Sequence, residues 1–342
     1  MDKSRKILTN PMEYHVRQFK NIVPSMAFDE NSDYLSQKKA ISEKFRELIN
    51  MPEKKTSPVA LIEHTDDSDE RFDEIRFTFE SEPGFFIPAH MLLPKERKGK
   101  IPAVICLQGH SEGMHISLAR KAFPDKTPIT VEGDRDFCIQ AVKRGYVAIA
   151  LEQRGFGELR FKENANNSCH ELSWQAVLMG RTLIGERIFD ISRLIDALEV
   201  SFDFIDMTKI GVMGNSGGGT SSYFAACVDE RIKVAMPSSS FCTFKAAWGS
   251  IYHCDCGYVP GIIKYMEMPD MALMIAPRKL VVVNGIYDNI QPFAAAKASY
   301  KTVEKIYERA GASENCTMVE GDEGHRFYAD KAWGIFDSYM KN

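Results

Sequence analysis

Gly214-Asn215-Ser216-Gly217-Gly218-Gly219 is the stretch whose reading decides the fold. Before it runs Lys209-Ile210-Gly211-Val212-Met213, an apolar segment that reads as a buried strand. After it, Thr220-Ser221-Ser222-Tyr223-Phe224-Ala225-Ala226-Cys227 reads as the start of a helix. A serine on so sharp a strand-to-helix turn is held in a strained backbone conformation, with its hydroxyl above the C-terminal end of the strand. Strand and helix pass without collision only if the residues two before and two after the serine are small. Gly214 and Gly218 fill those places. A Gly-rich loop with a bystander serine is the plainer alternative, and the flanking strand and helix disfavour it.

Outward from this turn, strands alternate with helices. Residues 103–107 form a continuous apolar run of buried-strand type, 134–144 read as a helix ended by Gly145, and 146–151 as the next strand. Over 181–200, Ile184, Ile188, Ile191, Ile195 and Leu198 recur at helical spacing. Further strands are expected at 232–236, 280–283 and 317–319, with a helix over 293–309 and a closing amphipathic helix over 332–339. Upstream, 72–80 and 85–93 flank the turn signal Pro83-Gly84 and read as an antiparallel pair. Residues 1 to about 60 look helical and polar, with Ile41, Phe45, Leu48 and Ile49 at helical spacing. The expectation is an α/β fold: a mostly parallel central sheet, helices on both faces, and an N-terminal helical extension. The extension is set at 1–65 and the catalytic domain at 66–342, with an insertion at about 240–275 lining the pocket.

A serine hydroxyl needs a base, and the base needs a carboxylate to fix its tautomer. In a doubly wound sheet these partners sit in loops after later strands, and α/β-hydrolases present them in the order serine, acid, histidine. The loop after 280–284 carries Asp288, and the loop after 317–319 carries His325. Asp288 competes with a turn or capping role, and Glu320 and Asp322 are rival acids in the histidine's own loop. His325 follows the last strand. Other histidines read as ordinary core or surface residues: His15, His64, His90, and His170 in a polar loop. Two backbone N–H donors must meet the developing oxyanion. They are assigned to Gly217, next after the serine, and to His110 in the loop Gln108-Gly109-His110-Ser111.

The chain has 342 residues, 44% of them hydrophobic, and a formal net charge of −4, which gives no sign of affinity for nucleic acid or membrane. The first ten residues hold no apolar signal-like core and no later stretch has the length of a membrane span, so a soluble, cytoplasmic protein is expected. Of eight cysteines, Cys106, Cys138 and Cys227 lie in apolar runs and read as small core hydrophobes. His253-Cys254-Asp255-Cys256 invites a metal reading, yet it is half a site with no second pair after it. His110 and His115 lack a thiol or acid at ligand-like spacing, so no metal is expected. The insertion also carries Trp248, Tyr252, Tyr258 and Tyr265. These either wall the pocket, with Trp248 and Tyr258 as substrate contacts, or simply pack the insertion. Glu152-Gln153-Arg154-Gly155-Phe156-Gly157 also follows a strand end, and Arg154 reads as a tie between loops.

With Gln108-Gly109-His110, Arg154-Gly155-Phe156-Gly157, Gly214-Asn215-Ser216-Gly217-Gly218, the Asp288 loop, Gly324-His325 and Cys256-Gly257-Tyr258-Val259-Pro260-Gly261 in place, the chain resembles the acetyl xylan esterase-like and dienelactone hydrolase-related α/β-hydrolases. The likeness runs from about residue 70 to the end and more loosely includes the extension. A more distant likeness is to cephalosporin C deacetylases. Those enzymes have His-Gly-Tyr in the oxyanion loop and Gln after the nucleophile, where this chain has Gln108, His110 and Gly217. The resemblance implies the α/β-hydrolase fold and a cofactor-free serine esterase acting on a small-molecule or oligosaccharide ester, a carbohydrate deacetylase above all. Homo-oligomerisation stays open. Two other readings remain: a serine peptidase of the prolyl-oligopeptidase type, for which roughly 100 residues before the core are too few to build a propeller, and a non-catalytic binding protein that kept the fold.

Overall fold

The computed structural model describes residues 9–110, 113–161 and 168–341; Ser111, in the loop read as lending an oxyanion donor, and residues 1–8 lie outside them. Among the described residues one nine-stranded sheet organises the chain, in the order β1-β2-β3-β5-β4-β6-β7-β8-β9. The strands are β1 (Leu61–Asp66), β2 (Phe72–Glu82), β3 (Phe85–Pro94), β4 (Ile101–Leu107), β5 (Val147–Leu151), β6 (Ile205–Asn215), β7 (Ile232–Ser238), β8 (Lys279–Gly285) and β9 (Cys316–Gly321). The pairs β1–β2, β2–β3 and β3–β5 are antiparallel, and every pair from β5–β4 to β8–β9 is parallel.

The helices are α1 (Pro11–Asn21), α2 (Tyr34–Ile49), α3 (Phe137–Lys143), α4 (Ser168–Leu178), α5 (Leu183–Ser201), α6 (Gly217–Val228), α7 (Ala272–Ile275), α8 (Phe293–Arg309) and α9 (Ala329–Lys341). Alternation along the central strands splits the core in two. Ala103, Ile105 and Leu107 of β4 face a cluster shared with α2, α5, α6, α7 and α8. Val104 and Cys106 face the opposite cluster, shared with α3 and α9. Both faces of a parallel sheet are thus covered, as near-continuous apolar strands require. No described helix is long and apolar enough to cross a membrane.

Three features depart from the sequence reading. The boundary set at residue 65 falls inside β1, an exposed edge strand whose Leu61 and Ile62 point to solvent, so no alternation marks it. His170, read as lying in a polar loop, is on α4. That helix turns inward Cys169, Ser173 and Ala176 and leaves Trp174 and Leu178 exposed, so its buried stripe is built of small residues and gives no apolar period. Lastly, α2, read only as part of a polar helical extension, packs into the main core. Ile41, Phe45 and Ile49 are fully buried, and Phe45 meets Phe224 of α6 edge-on at 5.2 Å.

Candidate active site

Ser216 separates β6 from α6 with φ +57° and ψ −122°, a conformation that L side chains rarely adopt. The glycines around it are required by contact. A Cβ on Gly214 would lie 2.5 Å from the Gly218 carbonyl carbon, and one on Gly218 would lie 2.2 Å from Leu107 O. The loop after β4 presses on the same turn, since a Cβ on Gly109 would come 2.7 Å from Asn215 O. The Ser216 N–H donates to Ser238 O at 2.9 Å, which pins the turn to β7.

Asp288 follows β8 and His325 follows β9, so parallel pairing delivers both to the sheet edge that carries Ser216. His325 Nδ1 lies 2.8 Å from Asp288 Oδ2. Asp288 Oδ1 accepts the N–H groups of Ile290 and Gln291 at 2.9 Å each, so the turn-capping role and the histidine partner coexist on one carboxylate. Burial pushes the Asp288 carboxyl up, but the His325 hydrogen bond and charge, with the two backbone donors, hold it below the usual carboxylate range. The rival acids turn elsewhere: Asp322 pairs with Lys331 at 3.3 Å and Glu320 with Lys297 at 2.8 Å.

Gly217 is the first residue of α6, so its N–H belongs to the helix start and has no partner within the helix. The His110 ring packs beside it and meets Phe156 edge-on at 5.0 Å. Buried polar groups brace this loop. Gln108 Nε2 donates to Ser117 Oγ and to Arg135 O, and Gln153 Nε2 donates to Gln108 O while Gln153 Oε1 accepts from Ser221 Oγ of α6. Sequence reasoning missed Gln153 and Ser221, which look like ordinary polar residues until the fold brings the loop after β5 against α6.

Ser216 stands between two cavities. One of about 840 Å³ is lined by Ser216, Gly217, His110, Phe156, Arg187 and Trp248, among others. The second, of about 550 Å³, holds Ser216 and His325 with Glu132, Arg135, Glu323 and Arg326. Trp248 also borders a third, apolar cavity of about 430 Å³, and there Tyr258 is found. Tyr258 therefore lines a space next to the serine's cavity and not that cavity itself; its hydroxyl donates to Trp248 O at 3.1 Å.

The loop after β5 is anchored by buried charge. Arg154 makes bonds of 2.8 Å to both Asp190 oxygens and reaches Glu82 at 2.8 Å and Glu186 at 3.1 Å, which ties that loop to α5 and β2. Glu152 accepts the N–H groups of Met114 and Glu158, and burial pushes its carboxyl up to about 7. The half-site reading of residues 253–256 needs correction. His253 stacks on Trp248 at 4.5 Å and takes no part, whereas Cys254 and Cys256 meet Cys169 of α4 and His110, with all four donor atoms within 4.8 Å of one another. His110 lacks a thiol neighbour in sequence but has one in space: Cys256 Sγ is 3.2 Å from its Nε2.

A family model described as "Abhydrolase family" matches residues 7–221, which include the Ser216 turn and most of the extension. The chain is 26% identical over 250 residues to "Putative hydrolase YtaP" of Bacillus subtilis (strain 168), covering 70% of this chain and 77% of that one. Among solved structures it is similar to one titled a "putative acetyl xylan esterase" from Bacteroides fragilis NCTC 9343, with TM-score 0.78 and 16% identity over 94% of this chain and 84% of the other. It is also similar to Acetyl Xylan Esterase 1 from Thermoanaerobacterium sp. JW/SL YS485, with TM-score 0.59 and 16% identity over 95% and 97%. A glucuronoyl esterase from Solibacter usitatus matches with TM-score 0.63 and 14% identity over 89% and 91%. At such identities these three likenesses are of fold. The family match spans well over half of the sequence, and on that ground the chain belongs to the Abhydrolase family, built on the α/β-hydrolase fold.

Proposed function

We propose that this protein is a serine esterase that hydrolyses short-acyl, above all acetyl, esters of carbohydrates. The observation that carries the reading is the meeting of a strained Ser216 with the His325–Asp288 pair at the wall of one cavity. Asp288 engages His325 Nδ1, which leaves Nε2 as the base. In this reading Nε2 takes the Ser216 proton as Oγ attacks the ester carbonyl carbon. The N–H groups of Gly217 and His110 stabilise the tetrahedral oxyanion. Collapse expels the alcohol, to which His325 returns the proton. A water activated by the same nitrogen then attacks the acyl-enzyme and releases the acid, restoring Ser216.

The carbohydrate assignment rests on two supports. The esterases named above that share the fold carry acetyl xylan and glucuronoyl esters in their names. The 550 Å³ cavity presents Glu132, Arg135, Glu323 and Arg326, a mixture of acceptors and donors suited to sugar hydroxyls. The test combines fluorophosphonate labelling with a panel of p-nitrophenyl esters and acetylated sugars. The wild type should label at one serine and release acetate from the sugars, and Ser216→Ala should do neither. A wild type that neither labels nor hydrolyses any ester overturns the reading in favour of a binding protein.

A further inference from the structure

Cys169 on α4, Cys254 and Cys256 in the insertion after β7, and His110 in the loop after β4 come from three separate parts of the chain, yet their donor atoms lie within 4.8 Å of one another. A zinc–thiolate bond of about 2.3 Å puts neighbouring sulfurs of a tetrahedral site about 3.8 Å apart, so the four donors need to draw in by only about 1 Å. Cys256 and Cys169 are buried and Cys254 is half-buried, while His110 turns Nε2 toward Cys256. The two ligand-bearing segments are already joined next to the cluster, where His170, beside Cys169, pairs with Asp255, between Cys254 and Cys256.

A second observation concerns charge. Arg187 is 1% exposed and, among the described residues, pairs with no carboxylate. Its guanidinium donates to Arg154 O, lies 4.2 Å over the Phe156 ring, and points Nη2 at Cys169 Sγ from 3.3 Å. A buried cation without an anion is costly. Three thiolates, a neutral imidazole and a divalent ion sum to one negative charge, which Arg187 offsets.

We propose that Cys169, Cys254, Cys256 and His110 Nε2 form a tetrahedral site for a thiophilic divalent cation of the zinc type, with Arg187 as its outer-sphere counter-ion. Among the described residues the four donors are three soft sulfurs and one imidazole nitrogen, a set that disfavours magnesium and calcium. Binding forms three metal–sulfur bonds and one metal–nitrogen bond, and the remaining thiol protons leave to solvent. With four protein ligands no position is left open for a reacting water, so the ion is structural: it clamps the His110 loop to α4 and to the insertion. The site stands whether or not the esterase reading holds, because the test reads metal.

The experiment uses the full chain, reduced, stripped with a chelator and titrated with Co²⁺. One Co²⁺ per chain is expected, with near-ultraviolet thiolate-to-cobalt charge transfer and the intense visible bands of tetrahedral cobalt, all bleached by one equivalent of Zn²⁺. Cys254→Ser and Cys256→Ser should weaken Zn²⁺ binding by about tenfold or more, whereas Cys316→Ser, away from the cluster, should bind as wild type does. If the variants do not fold, the wild-type cobalt spectrum decides, since it reports ligand type and number directly. A wild type that takes up no Co²⁺ or Zn²⁺ at micromolar concentration overturns the proposal. So does a weak octahedral spectrum, uptake that survives replacement of all three cysteines, or a predominant disulfide among the three in the isolated protein.

Discussion

His325 Nδ1 and Asp288 Oδ2 are 2.8 Å apart, while the other oxygen of the same carboxylate holds the backbone of Ile290 and Gln291. Asparagine at 288 can keep the two backbone bonds with its carbonyl oxygen, which leaves its NH₂ facing the imidazole and selects the wrong tautomer. Asp288→Asn should therefore lower kcat on p-nitrophenyl acetate by on the order of 10³–10⁴-fold with the fold retained. Asp322→Asn, which loses only an exposed pair with Lys331, should change kcat by less than about twofold. Steady-state kinetics on both variants decide, and the reverse ranking would reassign the acid.

Ser216 is held at positive φ by its surroundings, so the serine costs stability. Ser216→Gly should abolish esterase turnover and yet raise the unfolding free energy by about 1 kcal/mol, the relief of strain exceeding the added chain entropy of glycine. Urea midpoints of the two proteins give the answer. A destabilised glycine variant would mean that the turn is not strained.

Glu152 gives a pH signature. Its carboxyl is pushed up to about 7 in the folded protein from an ordinary value near 4.5. A group that holds its proton more tightly when folded contributes stability fully below the unfolded pKa and loses it as pH rises through the folded pKa. Between about pH 4.5 and 7, wild-type stability should accordingly fall by about 3 kcal/mol relative to Glu152→Gln, which cannot ionise. Urea unfolding of both proteins at several pH values measures the difference in slope. Parallel profiles would count against a proton held at this site.

Acyl length tests the substrate class. The insertion brings Trp248 and His253, stacked on each other, into the lining of the serine's larger cavity. Acetyl esters should be preferred over butyryl and longer ones, each added methylene meeting a steric cost greater than its hydrophobic gain of about 0.8 kcal/mol. A kcat/KM that climbs from acetyl to octanoyl would point to a lipase-like pocket instead.

What could be read in advance follows from how local each signal is. The Ser216 turn was legible because Gly214 and Gly218 lie within two residues of it. The helix over 181–200 was legible from its own period, and the parallel strands from continuous apolar runs. The order of Asp288 and His325 followed from counting strand ends. The thiol cluster was not legible, because Cys169, Cys254 and His110 meet only after α4 and the insertion fold over the sheet. For the same reason Tyr258 could not be assigned to one cavity or its neighbour: both open on Trp248, and an irregular segment gives no face to count. The apolar stripe over 181–200 does not announce that Arg187, which lies off it, is buried too, since α5 is buried nearly all round.

The placement of α2 behind α6 bears on how the chain is made. Arg46 Nη2 donates to Val228 O, Thr182 Oγ1 donates to Ile49 O, and any side chain at Gly185 would drive into Ile49 O at 2.3 Å. On the ribosome, Phe45 emerges roughly 180 residues before Phe224, a delay of about 10–40 s at ordinary translation speeds. Through that interval the apolar stripe of Ile41, Phe45 and Ile49 has no finished surface to lie on. The nascent chain must keep its first long helix out of other contacts until the helix that follows Ser216 has been synthesised. Synthesis of the intact protein is thus exposed to chaperone supply at its beginning, and a form started at the first strand would carry that same bare surface permanently on α6.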